Sequence, residues 1–209
     1  MTYFTWPTAP ELWPQSMEVR MMPNTRASTS AFDGTLRTSG VPTSKWGISI
    51  TFKDNQTYAE RAKVEGFLAG FEGRANRVYL YDFANPVPKG TINLTGCTVS
   101  TAAAIFAKQL VIAGAGAGKT LLMGDWFQVT SAGSNQLVKV TTDATANGSG
   151  VITVNFVPPL RFPVVVGATI TTNKPVAPFY LDSDDINSPR GPQNMCPSFG
   201  VNFIEDISV

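Results

Sequence analysis

The fold class of this chain is decided by residues 118–161, GKTLLMGDWFQVTSAGSNQLVKVTTDATANGSGVITVNFVPPLR. Short apolar runs such as DWFQV, QLVKV and GVITVNF alternate there with turns rich in Gly, Ser and Asn. Such runs predict strands, because β-branched and aromatic side chains pack well on a pleated surface. The first residues of the segment, however, complete a glycine loop of the kind that binds nucleotides. The two interpretations lead to an NTP-binding enzyme or to an all-β structural module.

The glycine loop, residues 113–120 (AGAGAGKT), matches the phosphate-binding loop pattern with Ala in place of its first Gly. A working loop of this type needs a helix directly after it, because the N–H groups and dipole of the helix N-terminus hold the phosphates. Here Gly124 and a β-forming run follow instead. We therefore predict that Gly114, Gly116 and Gly118 form a hairpin loop leading into a strand, and we assign no cofactor.

Proline-rich segments on either side divide the chain into two predicted domains. PVPKG at residues 86–90 precedes a stretch with almost no charge until Lys108, and Pro175 and Pro178 mark the second boundary. We predict a discontinuous outer domain at 1–86 and 173–209, and an inserted small β-barrel domain at 87–172. Strands of the insert are expected near residues 91–99, 108–113, 120–130, 136–142, 150–157 and 168–172.

The outer domain contains the chain's one convincing helix pattern. Thr57-Tyr-Ala-Glu60 fits the capping box, in which the Thr and Glu side chains satisfy the first free N–H groups. An apolar stripe follows at helical spacing, and it comprises Val64, Phe67, Leu68 and Phe71. Gly73 is the predicted stop. Strands are expected at residues 17–22, 46–52, 77–83, 177–181 and 198–207, and 24–44 is a polar segment with a turn at Phe32-Asp33-Gly34.

Composition restricts the possible chemistry. The 209 residues include no histidine, which excludes Ser-His-Asp and Cys-His catalysis. Cys97 and Cys196 form no CxxC pair, so we predict no structural metal site. The two cysteines could form one disulfide, and two free thiols in a cytosolically folded protein are the favoured interpretation. The net charge is +1 with no basic block, so we expect neither sequence-specific nucleic-acid binding nor membrane insertion. The first residues resemble no signal peptide. We assign no catalytic residue.

Two further groups of residues were considered as binding sites. Asp182, Asp184 and Asp185 with Glu205 could supply oxygen ligands to calcium, but their spacing differs from that of an EF-hand loop. A solvated loop is the favoured interpretation. The four tryptophans, Trp6, Trp13, Trp46 and Trp126, could line a sugar site, although packing in a core or interface is the commoner use of such side chains.

Several motifs follow one another in a definite order. Residues 28–52 carry S-x-x-x-F-D-G-x-x-R and then WGISITF, and the helix pattern ends in FLAGFEGR. The insert carries KTLLMGDWFQV and ANGSGVITVNFVPPLR, and the chain closes with FYLDSDD and FGVNFIEDI. This order resembles that of the distal tail proteins of long-tailed bacteriophages and their prophages, over most of the chain.

The resemblance implies a fold and a role. The fold would be mainly β: a tail-tube-like β-sandwich or split barrel with one flanking α-helix, plus a small inserted OB-like domain. The role would be that of a structural virion protein, not an enzyme, assembled in the host bacterial cytoplasm. It would form a hexameric ring at the tail tip between the tail tube protein and the tip or baseplate hub protein, with tail fibres as further partners. The alternative is a carbohydrate-binding β-module that acts as an adhesin of the tail tip.

The aromatic N-terminal segment, residues 1–16, is a candidate for contacts between ring subunits. Prolines favour an extended path there, and Trp6 and Trp13 need burial somewhere. They would anchor the segment on a neighbouring subunit, or the segment would fold back on its own domain. Both interpretations stay open at this stage.

Overall fold

Strands make up most of the regular structure of this protein. The computed structural model describes residues 1–192 and 195–208. Its strands, in chain order, are β1 Tyr3–Thr5, β2 Ser16–Thr29, β3 Leu36–Thr51, β4 Gln56–Thr57, β5 Arg77–Leu80, β6 Cys97–Thr101, β7 Gln109–Ala113, β8 Thr120–Leu121, β9 Trp126–Ser131, β10 Ser134–Val140, β11 Ala144–Thr145, β12 Ile152–Val157, β13 Thr169–Thr171, β14 Ala177–Leu181, β15 Met195–Cys196 and β16 Gly200–Glu205. The helical elements within the described ranges are a 3-10 turn at Pro10–Leu12 and helix α1 at Tyr58–Ala69. The predicted mainly β fold with one α-helix is confirmed.

The described chain folds as two compact units, each assembled from separate stretches of sequence. The sheet unit comprises Met1–Arg20, Trp46–Ala84 and Ala177–Ser208, and the barrel unit comprises Met21–Lys45 and Asn85–Val176. The breaks near residues 85 and 176 lie within a few residues of the proline-rich boundaries. Residues 21–45, which the sequence placed in the outer domain, group with the barrel unit.

The sheet unit is built on a six-stranded sheet with the order β1-β5-β14-β16-β3-β2. β1 pairs with β5 in parallel, whereas β14 pairs antiparallel with β5 and β16. Alternate side chains of the central strands are buried on one face, and these include Val78, Leu80, Phe179, Leu181 and Phe203. The ring of Phe71, just after α1, meets the Phe203 ring edge-on at 6.1 Å. The buried face of the sheet therefore packs against the helix and the turn that follows it.

Helix α1 begins where the capping box predicted. The Thr57 hydroxyl accepts the Glu60 N–H at 3.3 Å, and the Glu60 carboxylate accepts the Thr57 N–H at 2.8 Å. The hydrogen bond from the Thr57 N–H holds the pKa of the Glu60 carboxyl below its ordinary value. Val64 and Leu68 are buried on the inner face of α1, as the apolar stripe indicated, and Phe67 is half-buried.

Replacing Thr57 with alanine is expected to lower the free energy of unfolding by about 1 kcal/mol, because one free N–H of the first turn loses its acceptor. Thr57→Ser keeps the hydroxyl and is expected to stay close to the wild-type value. Urea unfolding followed by far-UV circular dichroism measures both variants. An equal loss in the serine variant would show that the cap hydrogen bond does not contribute.

The end of α1 differs from the prediction, which placed the stop at Gly73. The helix ends at Ala69, and Gly70 is its C-cap with a right-handed φ of −60°. Gly73 lies in the following turn with a φ of 64°, where a Cβ would approach the Asp184 carboxylate to 2.5 Å. That carboxylate accepts the Arg74 N–H at 2.8 Å. Glycine is therefore required at position 73 because the side chain of Asp184 packs against it, and it does not form the end of the helix.

Arg61 is a buried cation on α1 that the apolar pattern did not indicate. Its guanidinium donates to the Pro197 carbonyl and to the Ser188 hydroxyl, the latter at 3.3 Å. It also lies 4.3 Å from the centroid of the Phe199 ring. Burial lowers the pKa of the guanidinium. These contacts attach the C-terminal part of the sheet unit to the helix.

The barrel unit closes six antiparallel strands in the order β10-β12-β7-β6-β13-β9. Strand β12 shows the alternation that the closure requires, since Ile152, Val154 and Phe156 are buried while Thr153 and Asn155 are exposed. The core of the unit lies inside this wall. The main strands of this unit form a closed barrel.

The long strand predicted after the glycine loop is interrupted by a turn that separates β8 from β9. Asp125 in this turn is 3% exposed, and its carboxylate accepts the N–H groups of Lys89, Gly90 and Leu122 at 2.7, 3.0 and 2.8 Å. A Cβ on Gly90 would lie 2.2 Å from the Thr120 carbonyl oxygen, so this close approach requires glycine. Asp125 thus fixes the turn and the segment that enters the barrel.

Candidate functional site

The N-terminal segment folds onto its own sheet unit. Trp6 is 7% exposed, and its ring lies 5.2–6.4 Å from the rings of Phe52, Phe67 and Phe203. Its indole N–H donates to the Leu12 carbonyl at 3.1 Å. Trp6 is therefore a core residue of its own chain. The sequence left two interpretations open for this segment, anchoring on a neighbouring subunit or folding back on its own domain. The position of Trp6 agrees with the second interpretation.

Trp13 keeps much of its surface exposed. The side chain is 48% exposed, its indole N–H donates to the Thr8 carbonyl at 3.1 Å, and its ring lies 6.0 Å from that of Phe83. The Phe83 ring in turn contacts Tyr81 at 4.6 Å. A fixed, half-exposed aromatic is the type of side chain that is enriched at interfaces. The role of Trp6 and Trp13 as subunit anchors stays a prediction. Of the two side chains, that of Trp13 has the larger exposed surface that a neighbouring subunit could cover.

One hairpin is exposed along nearly its whole length. We call Met21–Lys45, the adjoining parts of β2 and β3 with their connecting turn, the hairpin arm. The Asn24 amide donates to the Thr43 hydroxyl across the strand pair at 3.0 Å. Residues 23–40 are exposed except for Ser30, which is half-buried. A two-stranded hairpin is only marginally stable in water, and its outer edge carries N–H and C=O groups that can pair with another chain.

The tip of the hairpin arm is a tight, hydrogen-bonded turn. The Ser30 N–H donates to the Thr35 carbonyl at 2.9 Å, and the Gly34 N–H donates to the Ser30 carbonyl at 3.1 Å. The Asp33 carboxylate accepts the Thr35 N–H at 3.1 Å and its hydroxyl at 2.8 Å. The Phe32 side chain is fully exposed. The tip therefore presents an aromatic ring beside a carboxylate on a defined backbone.

Hydrogen bonds from Ser30 and Thr35 lower the pKa of Asp33 from 3.8 to about 2. Because the pKa of Asp33 is lower in the folded turn, its ionised carboxylate stabilises the turn at pH values above the ordinary pKa of 3.8. This contribution is lost as the pH falls through about 2. We expect an NMR titration of the Asp33 carboxyl to have its midpoint near 2. In Thr35→Ala the midpoint should move back toward 3.8, and an unshifted wild-type carboxyl would contradict the turn geometry.

A groove of about 180 Å³ lies within the barrel unit, where the hairpin arm meets the barrel. Its lining is mainly apolar and includes Met21, Pro23, Thr25, Val157 and Pro159, with Lys108 at its edge. The Arg161 guanidinium donates to the Ser44 carbonyl at 2.7 Å and so attaches the base of the arm to the barrel. Lys108 is exposed and forms no ion pair with any carboxylate in the described part of the chain.

The glycine loop leads into strand β8, as predicted, and not into a helix. Gly114, Gly116 and Gly118 all have positive φ. β8 pairs with β11 and not with β7, so the predicted hairpin is wrong, because the loop carries the chain from the barrel to a separate two-stranded sheet. The Lys119 ammonium donates to the Asn93 side-chain oxygen at 2.6 Å. Both the loop and its lysine therefore have structural contacts.

The carboxylates considered for calcium have separate hydrogen-bonding roles. Asp184 accepts the Arg74 N–H, whereas Glu205 is buried and accepts the Trp46 N–H at 3.0 Å. Within residues 1–192 and 195–208, no group of three or more metal-ligating side chains is arranged to hold a metal ion. Asp184 and Glu205 therefore both serve hydrogen bonds within the chain.

The remaining sequence candidates lie in cores. Trp46 and Trp126 are buried, so of the four tryptophans only Trp13 is exposed. Cys97 and Cys196 are buried free thiols, as predicted. Burial raises the pKa of the Cys97 thiol, which therefore stays protonated and weakly nucleophilic at neutral pH.

The hairpin arm and its groove were missed at the sequence level. The sequence predicts the turn at Phe32-Asp33-Gly34 and a polar segment at 24–44, but it assigns no strand to that segment, most of which lies in β2 and β3. The strands escaped detection because both faces of the arm are exposed, so no apolar alternation marks them. The usable signal was the Asp-Gly turn between two Ser- and Thr-rich stretches of similar length.

Comparison of the chain with family models and with curated proteins finds no match. Among the residues that the structure describes, no helix is long and apolar enough to cross a membrane.

Proposed function

We propose that this chain is a structural virion protein that forms a ring at the distal end of a phage tail. The ring would join the tail tube protein to the tip or baseplate hub protein, with tail fibres as further partners. The observation that carries the proposal is the hairpin arm, two long strands whose residues 23–40 are almost all exposed. Such an arm gains stability by pairing with another molecule.

Ring assembly suits the two kinds of surface that the chain offers. In a closed ring each subunit presents two different complementary faces, because the contact is head-to-tail. The hairpin arm supplies a protruding face, and the six-stranded sheet ends in edge strands β1 and β2. Backbone pairing along such edges needs no special side chain. A hexamer is the stoichiometry that the motif resemblance implies.

The finer fold assignment belongs to the same proposal. We infer that the six-stranded sheet with its single helix corresponds to the tube-like ring-forming domain, and that the closed barrel corresponds to an OB-like insert at the ring's periphery. The closure of the barrel and the one helix packed on the sheet support this assignment. Assembly would occur in the host cytoplasm, and the mature site would be the tail tip.

The proposal is tested by light scattering after size exclusion, together with negative-stain microscopy, over a range of protein concentrations. We expect rings with a central hole. A variant in which Asn-Gly replaces residues 24–43 should remain monomeric while its thermal unfolding stays cooperative, and Ala117→Ser, at an exposed position in the glycine loop, serves as a full-length control. A wild-type protein that is monomeric at every concentration would contradict the proposal. Glycan binding by that monomer would favour the adhesin alternative.

A further inference from the structure

The tip of the hairpin arm and the groove at its base are complementary in size. An apolar cavity of about 150 Å³ is sufficient to hold benzene. The groove of about 180 Å³ therefore has room for a phenyl ring, and Phe32 presents one with its side chain fully exposed. Burial of a fully exposed phenylalanine is among the larger gains that a single side chain can contribute to an interface.

The two surfaces are also complementary in charge. Asp33 stands next to Phe32 and is ionised at neutral pH, and its carboxylate is held in place by hydrogen bonds from the N–H and hydroxyl of Thr35. Lys108 lies at the edge of the groove and is exposed. With Phe32 in the groove, the neighbouring carboxylate would face this ammonium group. An ammonium over the face of a phenyl ring is itself a favourable arrangement.

The tip cannot reach the groove of its own chain. The strand from Thr25, which lines the groove, to the turn at Ser30 spans about 17 Å. The strand pair and the hydrogen bonds of the turn hold the tip at the far end of the hairpin arm. The occupant of the groove must therefore come from a second molecule, and a second copy of this chain carries the matching tip.

We propose that the hairpin-arm tip of one copy docks in the groove of the next copy, with Phe32 inside the groove and Asp33 facing Lys108. The contact is head-to-tail, since tip and groove are different surfaces of each chain, so repetition produces a ring or a filament. This inference rests on the proposed ring function and names the contact that builds the ring.

Disulfide trapping tests the contact directly, because both native cysteines are buried. Mild oxidation of an equimolar mixture of Ala31→Cys, an exposed tip position that keeps Phe32 and Asp33, and Thr25→Cys should give covalent dimers, whereas either variant alone should not. The double variant should give a ladder that ends at the ring size. Ala31→Cys mixed with Ala117→Cys, an exposed position in the glycine loop, is the matched control. Absence of dimers from the first mixture, or equal dimers in the control, would overturn the proposal.

Affinity measurements give a second readout. Phe32→Ala should weaken self-association about ten- to hundredfold. Lys108→Glu should weaken it more than Lys89→Glu, an equal charge change at an exposed lysine outside the groove. Rings that form normally in Phe32→Ala would overturn this contact and leave the ring function standing. Cross-linked dimers without rings would support the contact and contradict the ring.

Flotation with vesicles of phosphatidylcholine and phosphatidylglycerol tests a different use of the tip. An exposed aromatic at a hairpin tip could insert into a lipid surface instead of a protein groove. We expect no flotation of the wild-type protein. Flotation that is lost in Phe32→Ala would overturn the proposal that a second copy is the occupant.

Discussion

Replacing Asp125 with alanine is expected to lower the free energy of unfolding by about 2–4 kcal/mol. The carboxylate accepts three backbone N–H groups, those of Lys89, Gly90 and Leu122. Each donor left without a partner costs about 1–3 kcal/mol when it is buried, and partial access to water reduces the total. Urea unfolding measures the loss, and hydrogen exchange at the Lys89 and Gly90 amides should accelerate most, since these donors lose their acceptor.

A neighbouring aspartate provides the matched control. Asp143 is exposed and accepts one N–H, that of Met123, at 2.7 Å. Asp143→Ala removes the same chemical group but leaves a donor that water can satisfy, so we expect a loss below about 1 kcal/mol. Asp125→Asn keeps one acceptor oxygen and should lie between the two. Equal losses at the two positions would contradict the role of Asp125 as a clamp.

The parts of the fold that could be predicted are those set by neighbours in sequence. The Thr57 capping box is a contact over one helical turn, and the alternation of β12 from Ile152 to Phe156 is visible within six residues. The predicted stop of α1 at Gly73 was wrong. A glycine is needed at position 73 because a Cβ there would clash with the side chain of Asp184, which is more than a hundred positions away in the sequence. Long-range contacts of this kind leave no periodic trace in the sequence.

The candidate contact surfaces were less predictable than the fold. The hairpin arm has no buried face, so its strands carry none of the alternation by which strands are recognised. The full exposure of Phe32 can be recognised only once the turn around it is known. The groove combines residues from β2, β12 and the segment before β7, and sequence spacing does not bring these together. Trp6 and Trp13, which look alike in their proline-rich context, differ because only Trp6 meets Phe52 and Phe203.

That difference between the two tryptophans leads to a large predicted effect on stability. Trp6→Ala should lower the free energy of unfolding by about 3–5 kcal/mol, the range for removing a large aromatic from a packed core. The lost contacts include the rings of Phe52, Phe67 and Phe203 and the hydrogen bond to the Leu12 carbonyl. Trp6→Phe keeps a ring in the core but not the N–H, so its loss should be smaller.

Trp13→Ala should cost less than about 1.5 kcal/mol, because nearly half of this side chain is already in water and its ring lies as far as 6.0 Å from that of Phe83. Stability and assembly can therefore be separated by measuring both in the same two variants. If Trp13 anchors a subunit contact, Trp13→Ala weakens ring formation while its urea midpoint stays near that of the wild type. Trp6→Ala should lower the midpoint first, and any loss of rings should follow the loss of folded protein. A Trp13→Ala variant that assembles normally would remove the N-terminal segment from the interface and leave the hairpin arm as the contact that holds the subunits together.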